Sequence, residues 1–308
     1  MTISTYLGNP LLKKLNTPHE YSEEEIVEYV KCRDNPIYFI KNYINIVNVD
    51  KGLMKFELWP FQEELINALV KNRFSIVKCP RQSGKSQTSL AFMLHYVLFT
   101  DQKNVAILAN KGATARELLG RLQMAYEKLP KFLQQGVAEW NKGSIELENG
   151  SRILAGSTSS SAIRGYSFNL IFLDEFAFVQ QNMAEDFFRS VYPTISSGQT
   201  SKVIIVSTPN GMNHFYKMWS DAQEGRSHYH AFEINWWDVP GRDKAWKKQT
   251  IENTSEEQFK QEFECEFLGS AGTLISATKL SQLAIKKPIS RRDQLDVYED
   301  AIVNHGYF

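Results

Sequence analysis

The chain has 308 residues, of which 43% are hydrophobic and 23% charged, so it is long enough for one large α/β domain with a smaller attached piece. Basic and acidic residues balance at 35 each, so net charge gives no support for a nucleic-acid partner, although a local basic face is still compatible with one. Three widely spaced cysteines argue against a disulfide framework or structural zinc, and neither a signal peptide nor a membrane-spanning apolar run is visible.

Residues 1–50 are predicted to be helical and partly amphipathic. Apolar residues such as Ile26 and Val30 lie on one face of a first helix, and Pro36 interrupts the pattern. A second apolar helix is expected over residues 37–46. No motif with an evident chemistry lies in this N-terminal segment.

Between residues 51 and 233, apolar runs typical of buried strands alternate with helical segments. Strands are predicted at Phe74–Lys78, Val105–Ala109, Ile145–Leu147, Arg152–Ala155, Ile171–Leu173 and Val203–Val206. Helices are predicted at Pro60–Lys71, Lys85–Phe99, Thr114–Lys128, Gln181–Val191 and His214–Glu224. This alternation predicts an α/β fold with a mostly parallel sheet and helices on both faces. The two runs joined by Asn149-Gly150 predict an antiparallel hairpin beside that sheet.

The remaining residues divide into two smaller pieces. Residues 234–285 are predicted to form a helical piece, with helices at Asp243–Ile251 and Glu256–Cys265. Residues 286–308 are charged and contain Pro288, so we interpret them as a linker or tail.

The stretch Arg81-Gln82-Ser83-Gly84-Lys85-Ser86 directly follows the first strand of the alternating region. A strand, a loop ending in Gly-Lys-Ser and a helix are typical of a phosphate-binding P-loop, because backbone N–H groups and the helix N-terminus face the anion. In that interpretation Lys85 reaches the terminal phosphates and Ser86 offers its hydroxyl to Mg²⁺. Cys79 stands where the usual pattern has its first glycine, and an ordinary strand-to-helix turn is the alternative.

A second candidate motif is the apolar run of residues 170–173 followed by Asp174 and Glu175. The run predicts a buried parallel strand, and open α/β sheets bind ligands at the carboxyl ends of such strands. Asp174 could then hold Mg²⁺ through water, and Glu175 could polarise the water that attacks the γ-phosphate. A solvated turn is the alternative for either carboxylate alone. The two motifs together favour a nucleoside triphosphatase site.

Two further stretches could serve the same site. The amide of Gln62, in Trp59-Pro60-Phe61-Gln62, can pair with the N6/N7 edge of adenine, whereas the alternative is a helix start with proline in its first turn. The hydroxyls of Ser207 and Thr208 precede Pro209 at the end of a strand, where they could sense the γ-phosphate and pass its loss to the next helix. A plain turn would also explain this second stretch.

Arginines and lysines add less specific signals. Arg81 could neutralise charge on the transferred phosphoryl group. Arg164, in a glycine-flanked loop, could be structural, grip a DNA phosphate or reach a neighbouring subunit's site. Basic residues with helical spacing predict either a solvated face or a DNA-tracking surface; they are Lys111, Arg116, Arg121, Lys128 and Lys131.

Taken together, these motifs resemble those of the large terminase subunit of tailed bacteriophages, closest to the T4-like branch. The resemblance covers nearly the whole chain and rests on residues 59–62, 81–86, 139–147, 163–165, 174–178, 207–211, 263–267 and 272–276. It implies an ASCE-type, RecA-like P-loop ATPase core with a small helical lid built from the N-terminal segment and residues 234–285. It also makes the missing first P-loop glycine an expected departure.

The resemblance implies a role for each site residue. It assigns Gln62 to adenine, Arg81 to Ser86 to the phosphates, Ser86 and Asp174 to Mg²⁺, Glu175 to the catalytic base, Arg81 to a cis arginine, and Ser207, Thr208 and Pro209 to coupling. Arg164 matches the position at which some members carry an arginine that completes the neighbour's site in a ring.

The resemblance further implies ATP hydrolysis that drives double-stranded DNA into a viral prohead in the host cytoplasm. The implied partners are DNA, the portal protein and the small terminase subunit, with a homo-oligomeric ring on the portal and a monomer in isolation. The family's large subunits continue into a metal-dependent nuclease, for which residues after 285 supply no acidic cluster. We therefore expect the ATPase portion alone, without nicking of DNA.

Two alternatives compete with a DNA-translocating ATPase. A superfamily 2 helicase would share the glutamine and Asp-Glu motifs, but too few residues follow Pro209 for a second RecA-like domain. A nucleotide-dependent switch or assembly module would bind ATP and its partners with little turnover of its own.

Overall fold

The computed structural model of the protein describes residues 5–158, 165–196, 198–268, 289–292 and 295–297. The chain divides into two compact units, residues 1–267 and residues 268–308. The first unit contains all the candidate site residues.

The first elements are two short hairpins on either side of two helices. They are β1 (Thr5–Tyr6), β2 (Asn9–Lys13), α1 (Glu23–Asp34), α2 (Pro36–Tyr43), β3 (Asn45–Asn48) and β4 (Gly52–Lys55). Helix α1 starts at a capping box, in which the N–H of Glu25 donates to Ser22 Oγ (3.2 Å) and the N–H of Ser22 donates to the Glu25 carboxylate (3.1 Å). The hairpins differ from the predicted helical segment because strands of two to five residues are too short to give a clear periodic pattern.

The N-terminal helices cover one face of the core. Helix α2 contacts the two helices that follow it in the chain, and Phe39 and Ile40 are fully buried there. Whether this segment also contributes to a lid stays a prediction.

The rest of the first unit alternates strands and helices around one sheet. Its elements are α3 (Pro60–Lys71), β5 (Phe74–Lys78), α4 (Lys85–Phe99), β6 (Asn104–Ala109), α5 (Gly112–Glu127), β7 (Val137–Trp140), β8 (Ser144–Leu147), β9 (Arg152–Ser157), β10 (Leu170–Asp174), α6 (Gln181–Ser196), β11 (Lys202–Ser207), α7 (His214–Gln223), β12 (His230–Glu233), α8 (Lys244–Asn253) and α9 (Glu256–Glu262). The eight strands of the sheet lie in the order β12-β5-β11-β10-β6-β9-β8-β7. The first six pair in parallel and the last two join antiparallel, which confirms the mostly parallel α/β fold.

Strand β10 lies in the middle of the sheet, and all five of its residues are buried. Its side chains alternate between two hydrophobic clusters, because successive residues of a strand point to opposite faces. Phe172 joins the cluster that contains α4 and α5, whereas Ile171 and Leu173 join the cluster that contains α6 and α7. The sheet is therefore covered on both faces, as its continuous apolar strands predict.

The predicted hairpin is confirmed, and the edges of the sheet add strands that the sequence pattern missed. Strands β8 and β9 pair antiparallel through a turn in which Gly150 has a φ of 74°. Strands β7 and β12, at the two edges, were not predicted. For β12, the reason is that residues 230–233 are only partly buried and give no apolar run.

The second unit is described only in part. Strands β13 (Ser290–Arg292) and β14 (Leu295–Val297) form an antiparallel pair. Most of residues 286–308 lie outside the described residues, so their interpretation as a linker or tail stays a prediction. In the described ranges of both units, no helix combines the length and apolar character that crossing a membrane requires.

A buried histidine gives the fold a predictable response to acid. Nε2 of His95 donates to the carbonyl oxygens of Cys32 (2.9 Å) and Arg33 (3.2 Å), and burial lowers the pKa of His95 to about 4. The unfolded chain, with a histidine pKa of about 6.5, therefore takes up a proton first as the pH falls, and stability is lost between about pH 6.5 and 4.

We expect the free energy of unfolding to fall by about 2 kcal/mol more in the wild type than in His95→Gln between pH 7 and pH 4.5. The glutamine amide can still donate to both carbonyls but takes up no proton in this range. Urea unfolding at the two pH values measures the difference. Equal losses in the two proteins would assign the acid sensitivity to other groups.

Candidate nucleotide-binding site

The predicted P-loop connects β5 to α4 across residues 79–84. Gln82 and Gly84 have φ values of 56° and 75°, so the loop turns twice through the left-handed region. A side chain at position 84 also lacks space, because its Cβ would lie 2.5 Å from Nε2 of Gln62. Cys79 has no positive φ and is fully buried, so the position of the missing first glycine needs no glycine.

The constraint at Gly84 leads to a stability prediction. Gly84→Ala should lower the free energy of unfolding by about 1–3 kcal/mol, because the new Cβ meets Gln62 and the left-handed backbone strains any side chain. Urea unfolding measures this loss. Gly120→Ala, in α5 with no heavy atom within 4 Å of the new Cβ, is the control and should leave stability unchanged or raise it by up to about 1 kcal/mol. Equal stability of the two variants would contradict the proposed crowding.

The P-loop lysine forms an ion pair with the second carboxylate of the other motif. Nζ of Lys85 lies 3.0 Å from Oε1 of Glu175, and the Lys85 side chain is only 7% exposed. Burial by itself lowers the pKa of Lys85, but the interactions with Cys79 and with the carboxylates of Glu175 and Asp174 outweigh burial, so the pKa lies above its usual range. Lys85 is therefore a buried, permanently charged cation at the point where a phosphate would bind.

Ser86 and Asp174 form the second contact between the two motifs. The Ser86 hydroxyl lies 3.0 Å from both carboxylate oxygens of Asp174. Burial raises the pKa of Asp174 to about 6, against the opposing effect of Lys85. Hydroxyl and carboxylate oxygens are the ligands that Mg²⁺ prefers, and the ion needs only one or two of them beside phosphate oxygens and water. Both residues therefore fit the predicted metal role.

Glu175 has an unusual backbone for a residue with a side chain. Its φ of 51° and ψ of 40° place it in the left-handed region, where it precedes a short 3₁₀ turn over Phe176–Phe178. Non-glycine residues in this region store strain of roughly 1 kcal/mol and cluster at functional sites. The turn ends β10 and leaves the Glu175 carboxylate beside Lys85.

The end of β11 is hydrogen-bonded to the start of the P-loop and to the turn that follows the Asp-Glu pair. The Thr208 hydroxyl donates to the carbonyl of Cys79 (3.0 Å), and the N–H of Cys79 donates to the carbonyl of Ser207 (3.2 Å). On the other side, Ser207 Oγ accepts a hydrogen bond from the N–H of Ala177 (3.0 Å). Ser207, Thr208 and Pro209 are all buried. The predicted coupling segment therefore contacts both the start of the P-loop and the turn after Glu175.

Gln62 contacts the P-loop rather than lying open beside it. Its Oε1 accepts from the N–H of Trp59 (3.0 Å), its Nε2 lies 3.3 Å from the carbonyl of Ser83, and only 2% of the residue is exposed. These hydrogen bonds within the protein are enough to explain the position of Gln62. Recognition of adenine by Gln62 stays a prediction.

Arg81 is paired with a residue of α9. Its guanidinium forms an ion pair with the Glu262 carboxylate, and the backbone N–H of Arg81 donates to the backbone carbonyl of Glu262 (3.0 Å). The Arg81 side chain is 55% exposed. The predicted role of Arg81 at the transferred phosphoryl group therefore requires exchange of the Glu262 carboxylate for phosphate.

The sequence of the chain matches a known protein family. The sequence profile described as "Terminase large subunit, T4likevirus-type, N-terminal" matches residues 76–282. The chain belongs to this family. The match includes the P-loop, both carboxylates and the coupling segment, and it confirms the resemblance inferred from the motifs.

Individual relatives of this terminase segment agree with the family. A terminase large subunit of Thermus virus P23-45 is 24% identical in an alignment of 258 residues that covers 74% of this chain and 52% of the relative. The chain therefore spans about half the length of the curated relatives it matches.

Solved structures support the fold. The HK97 bacteriophage large terminase matches with a TM-score of 0.64 at 18% identity, over 76% of this chain and 55% of that one. The Thermus Phage P74-26 large terminase ATPase domain matches with a TM-score of 0.57 at 20% identity, over 66% and 92% of the two chains.

Two groups of basic residues predicted from the sequence of this terminase segment have roles that stay untested. Arg164 lies outside the described residues, so its role between subunits stays a prediction. The basic residues Lys111, Arg116, Arg121, Lys128 and Lys131 are all exposed on or just beyond α5. Arg121 pairs with Glu117, as on an ordinary solvated helix face. A DNA-tracking role for this face is likewise a prediction.

Sequence reasoning missed three residues that contact the site. Asn213 caps α7 by accepting from the N–H groups of Phe215 (3.0 Å) and Tyr216 (3.3 Å), and its amide donates to Ala177. Asparagine just before an apolar helix is a cap signal that could have identified it. Arg242 and Glu262, which contact the P-loop from the C-terminal helices, carried no local signal.

Proposed function

We propose that this chain is a Mg²⁺-dependent ATPase that powers the movement of double-stranded DNA into a phage prohead. The observation that carries the proposal is the contact between two motifs far apart in sequence. Lys85 pairs with Glu175 and Ser86 with Asp174, both at 3.0 Å, at the carboxyl ends of β5 and β10. A buried cation, a hydroxyl and two carboxylates at the start of a helix suit a nucleoside triphosphate and its metal.

The proposed reaction begins when the nucleotide's phosphates enter the P-loop. They offer Lys85 a second anion and so compete with the Glu175 carboxylate, which is 33% exposed on its side chain. A Glu175 carboxylate released from Lys85 can orient a water molecule toward the γ-phosphate and accept its proton. Ser86 and Asp174 would hold Mg²⁺, and the ion would supply positive charge to offset that of the phosphates.

Coupling to movement would pass through the end of β11. Departure of the γ-phosphate changes the charge beside Glu175 and the P-loop. The turn after Glu175 is hydrogen-bonded to Ser207 through the N–H of Ala177, and the start of the P-loop is hydrogen-bonded to Thr208 through the carbonyl of Cys79. Asn213 ties the same turn to the start of α7. A shift at the phosphate can therefore reach α7 over three consecutive hydrogen-bonded steps.

The partners follow from the family and are part of the proposal. A DNA-packaging role in the host cytoplasm implies contacts with double-stranded DNA, the portal protein and the small terminase subunit. It also implies a ring of copies on the portal, with Arg164 reaching the next copy's site. The absence of DNA cutting by this stretch of chain stays a prediction.

The first test is the ATPase rate per chain, measured over a range of protein concentrations with Glu175→Ala as the blank. A rate that depends on Glu175 supports the proposal. If it climbs with concentration, the site is completed between subunits, and Arg164→Ala should remove the increase. If it stays flat, Arg81 is the arginine that acts. No rate above the blank, with or without added DNA, would contradict an ATPase.

A second candidate, a nucleotide-dependent switch, is favoured by one observation. The charged groups assigned to catalysis are engaged with protein partners, Lys85 with Glu175 and Arg81 with Glu262. A protein in which these pairs persist with ATP bound would bind nucleotide with little turnover. Nucleotide-driven oligomerisation without a Glu175-dependent rate would support this candidate.

A further inference from the structure

The P-loop is held from outside by the C-terminal helices of the first unit, here called the lid helices (α8 and α9). Arg242, just before α8, donates from Nη2 to the carbonyl of Arg81 (2.8 Å) and also lies 3.3 Å from the carbonyl of Gln82. Glu262, the last residue of α9, accepts the N–H of Arg81 at its own carbonyl (3.0 Å). The middle of the P-loop is therefore fixed by backbone contacts that the motif itself does not provide.

The direction of these contacts matters for phosphate binding. In a trans peptide the C=O and the following N–H point in opposite directions. A guanidinium that holds the carbonyls of Arg81 and Gln82 therefore turns the N–H groups of Gln82 and Ser83 away from itself, toward the inside of the loop. The positive charge also polarises both peptide groups and makes their N–H groups better donors. These N–H groups are the ones a P-loop directs at an anion.

The guanidinium of Arg242 is itself fixed by aromatic rings. Its Cζ lies 4.9 Å from the ring centroid of Trp246 and 5.4 Å from that of Phe263. The two rings meet edge to face at 5.1 Å, and Trp246 also stacks on Trp236. The two rings hold the planar guanidinium in one orientation, whereas a lysine ammonium on its flexible stem would be less preorganised for the two carbonyls.

We infer that Arg242 is a positioning residue of the nucleotide site, which sets the orientation of the phosphate-binding amides of the P-loop. The inference rests on the proposed nucleotide site and goes beyond it, because it makes phosphate affinity depend on the lid helices. Any displacement of α8 and α9 then carries the carbonyls of Arg81 and Gln82 with it. The lid helices and the phosphates are in this way coupled in both directions.

The test measures binding of tripolyphosphate, a probe that has the phosphates but not the base, by displacement of a fluorescent ADP analogue. Arg242→Gln should raise the dissociation constant at least tenfold, and Arg242→Lys should raise it several-fold. The control is Lys247→Gln. Lys247 lies over the rings of Trp236 and Phe259 and pairs with Glu264, but it makes no hydrogen bond or ion pair to residues 79–86 in the described structure. It should change the dissociation constant less than twofold.

Three outcomes separate the possible failures. Tripolyphosphate binding by Arg242→Gln within twofold of the wild type would overturn the inference and leave the nucleotide site intact. An equal loss in Lys247→Gln would also overturn it, because the effect would then come from lid packing in general. A wild-type protein that binds neither tripolyphosphate nor ATP would refute the proposed nucleotide site and the inference with it. Urea unfolding of each variant shows whether the protein is folded.

Discussion

Glu175→Gln is expected to reduce ATP turnover at least a hundredfold while ATP affinity stays within about threefold of the wild type. The amide has the size and shape of the carboxylate but cannot accept a proton from the attacking water. It also cannot form an ion pair with Lys85, whose Nζ lies 3.0 Å from the Glu175 carboxylate. Lys85 is then free for the phosphates, so binding should be retained or strengthened.

The measurement combines steady-state hydrolysis with direct titration of a fluorescent ATP analogue. A suitable control is Glu233→Gln, which removes another lysine–glutamate pair (Lys78 with Glu233, 2.6 Å) at the edge of the same sheet. This control should hydrolyse ATP within threefold of the wild type. Turnover by Glu175→Gln at the wild-type rate would show that another group activates the water.

Much of the core fold could be predicted, because its determinants are local. The strand at residues 74–78 is a short apolar run, and the helix at residues 85–99 begins at the lysine of the Gly-Lys-Ser sequence. Both were predicted with the bounds that the structure has. The hairpin through Asn149-Gly150 was likewise visible, because Gly150 adopts the positive φ that such turns require. The edge strand at residues 230–233 was not, since it is half exposed and depends on pairing with β5.

For the candidate site, the residue types could be predicted from the sequence, but the contacts between them could not. The residue types of the P-loop and the Asp-Glu pair are local signals, so the candidates Lys85 and Asp174 could be named from sequence. Their contacts could not, because they depend on the strand order, which places β11 between β5 and β10. Arg242 follows a Pro-Gly turn and looks like an ordinary surface arginine in sequence. Its role emerges only when the folding of α8 and α9 brings Trp246 and Phe263 against its guanidinium.

Lys85→Met is expected to have a second large effect. It should lower the stability of the protein without nucleotide and also abolish ATP binding. Lys85 is 6% exposed and pairs with Glu175, and its charge also lowers the pKa of Asp174, which is 4% exposed. The substitution therefore leaves the buried Asp174 carboxylate without a compensating positive charge. A buried charge left without compensation costs about 3–5 kcal/mol. Because burial already raises the pKa of Asp174 to about 6, the carboxyl can take up a proton at lower pH and so avoid most of this cost.

The stability deficit of Lys85→Met should therefore be about 3 kcal/mol at pH 8 and clearly smaller at pH 5.5, when urea unfolding is measured in the presence of EDTA. The matched control is Lys41→Met, which removes a lysine from an exposed pair with Glu63, whose side chains are 46% and 33% exposed. That change should cost less than about 1 kcal/mol at both pH values. ATP binding should be lost only in Lys85→Met. A deficit that is the same at both pH values would mean that Lys85 contributes packing rather than charge, and that the buried carboxylates do not depend on it.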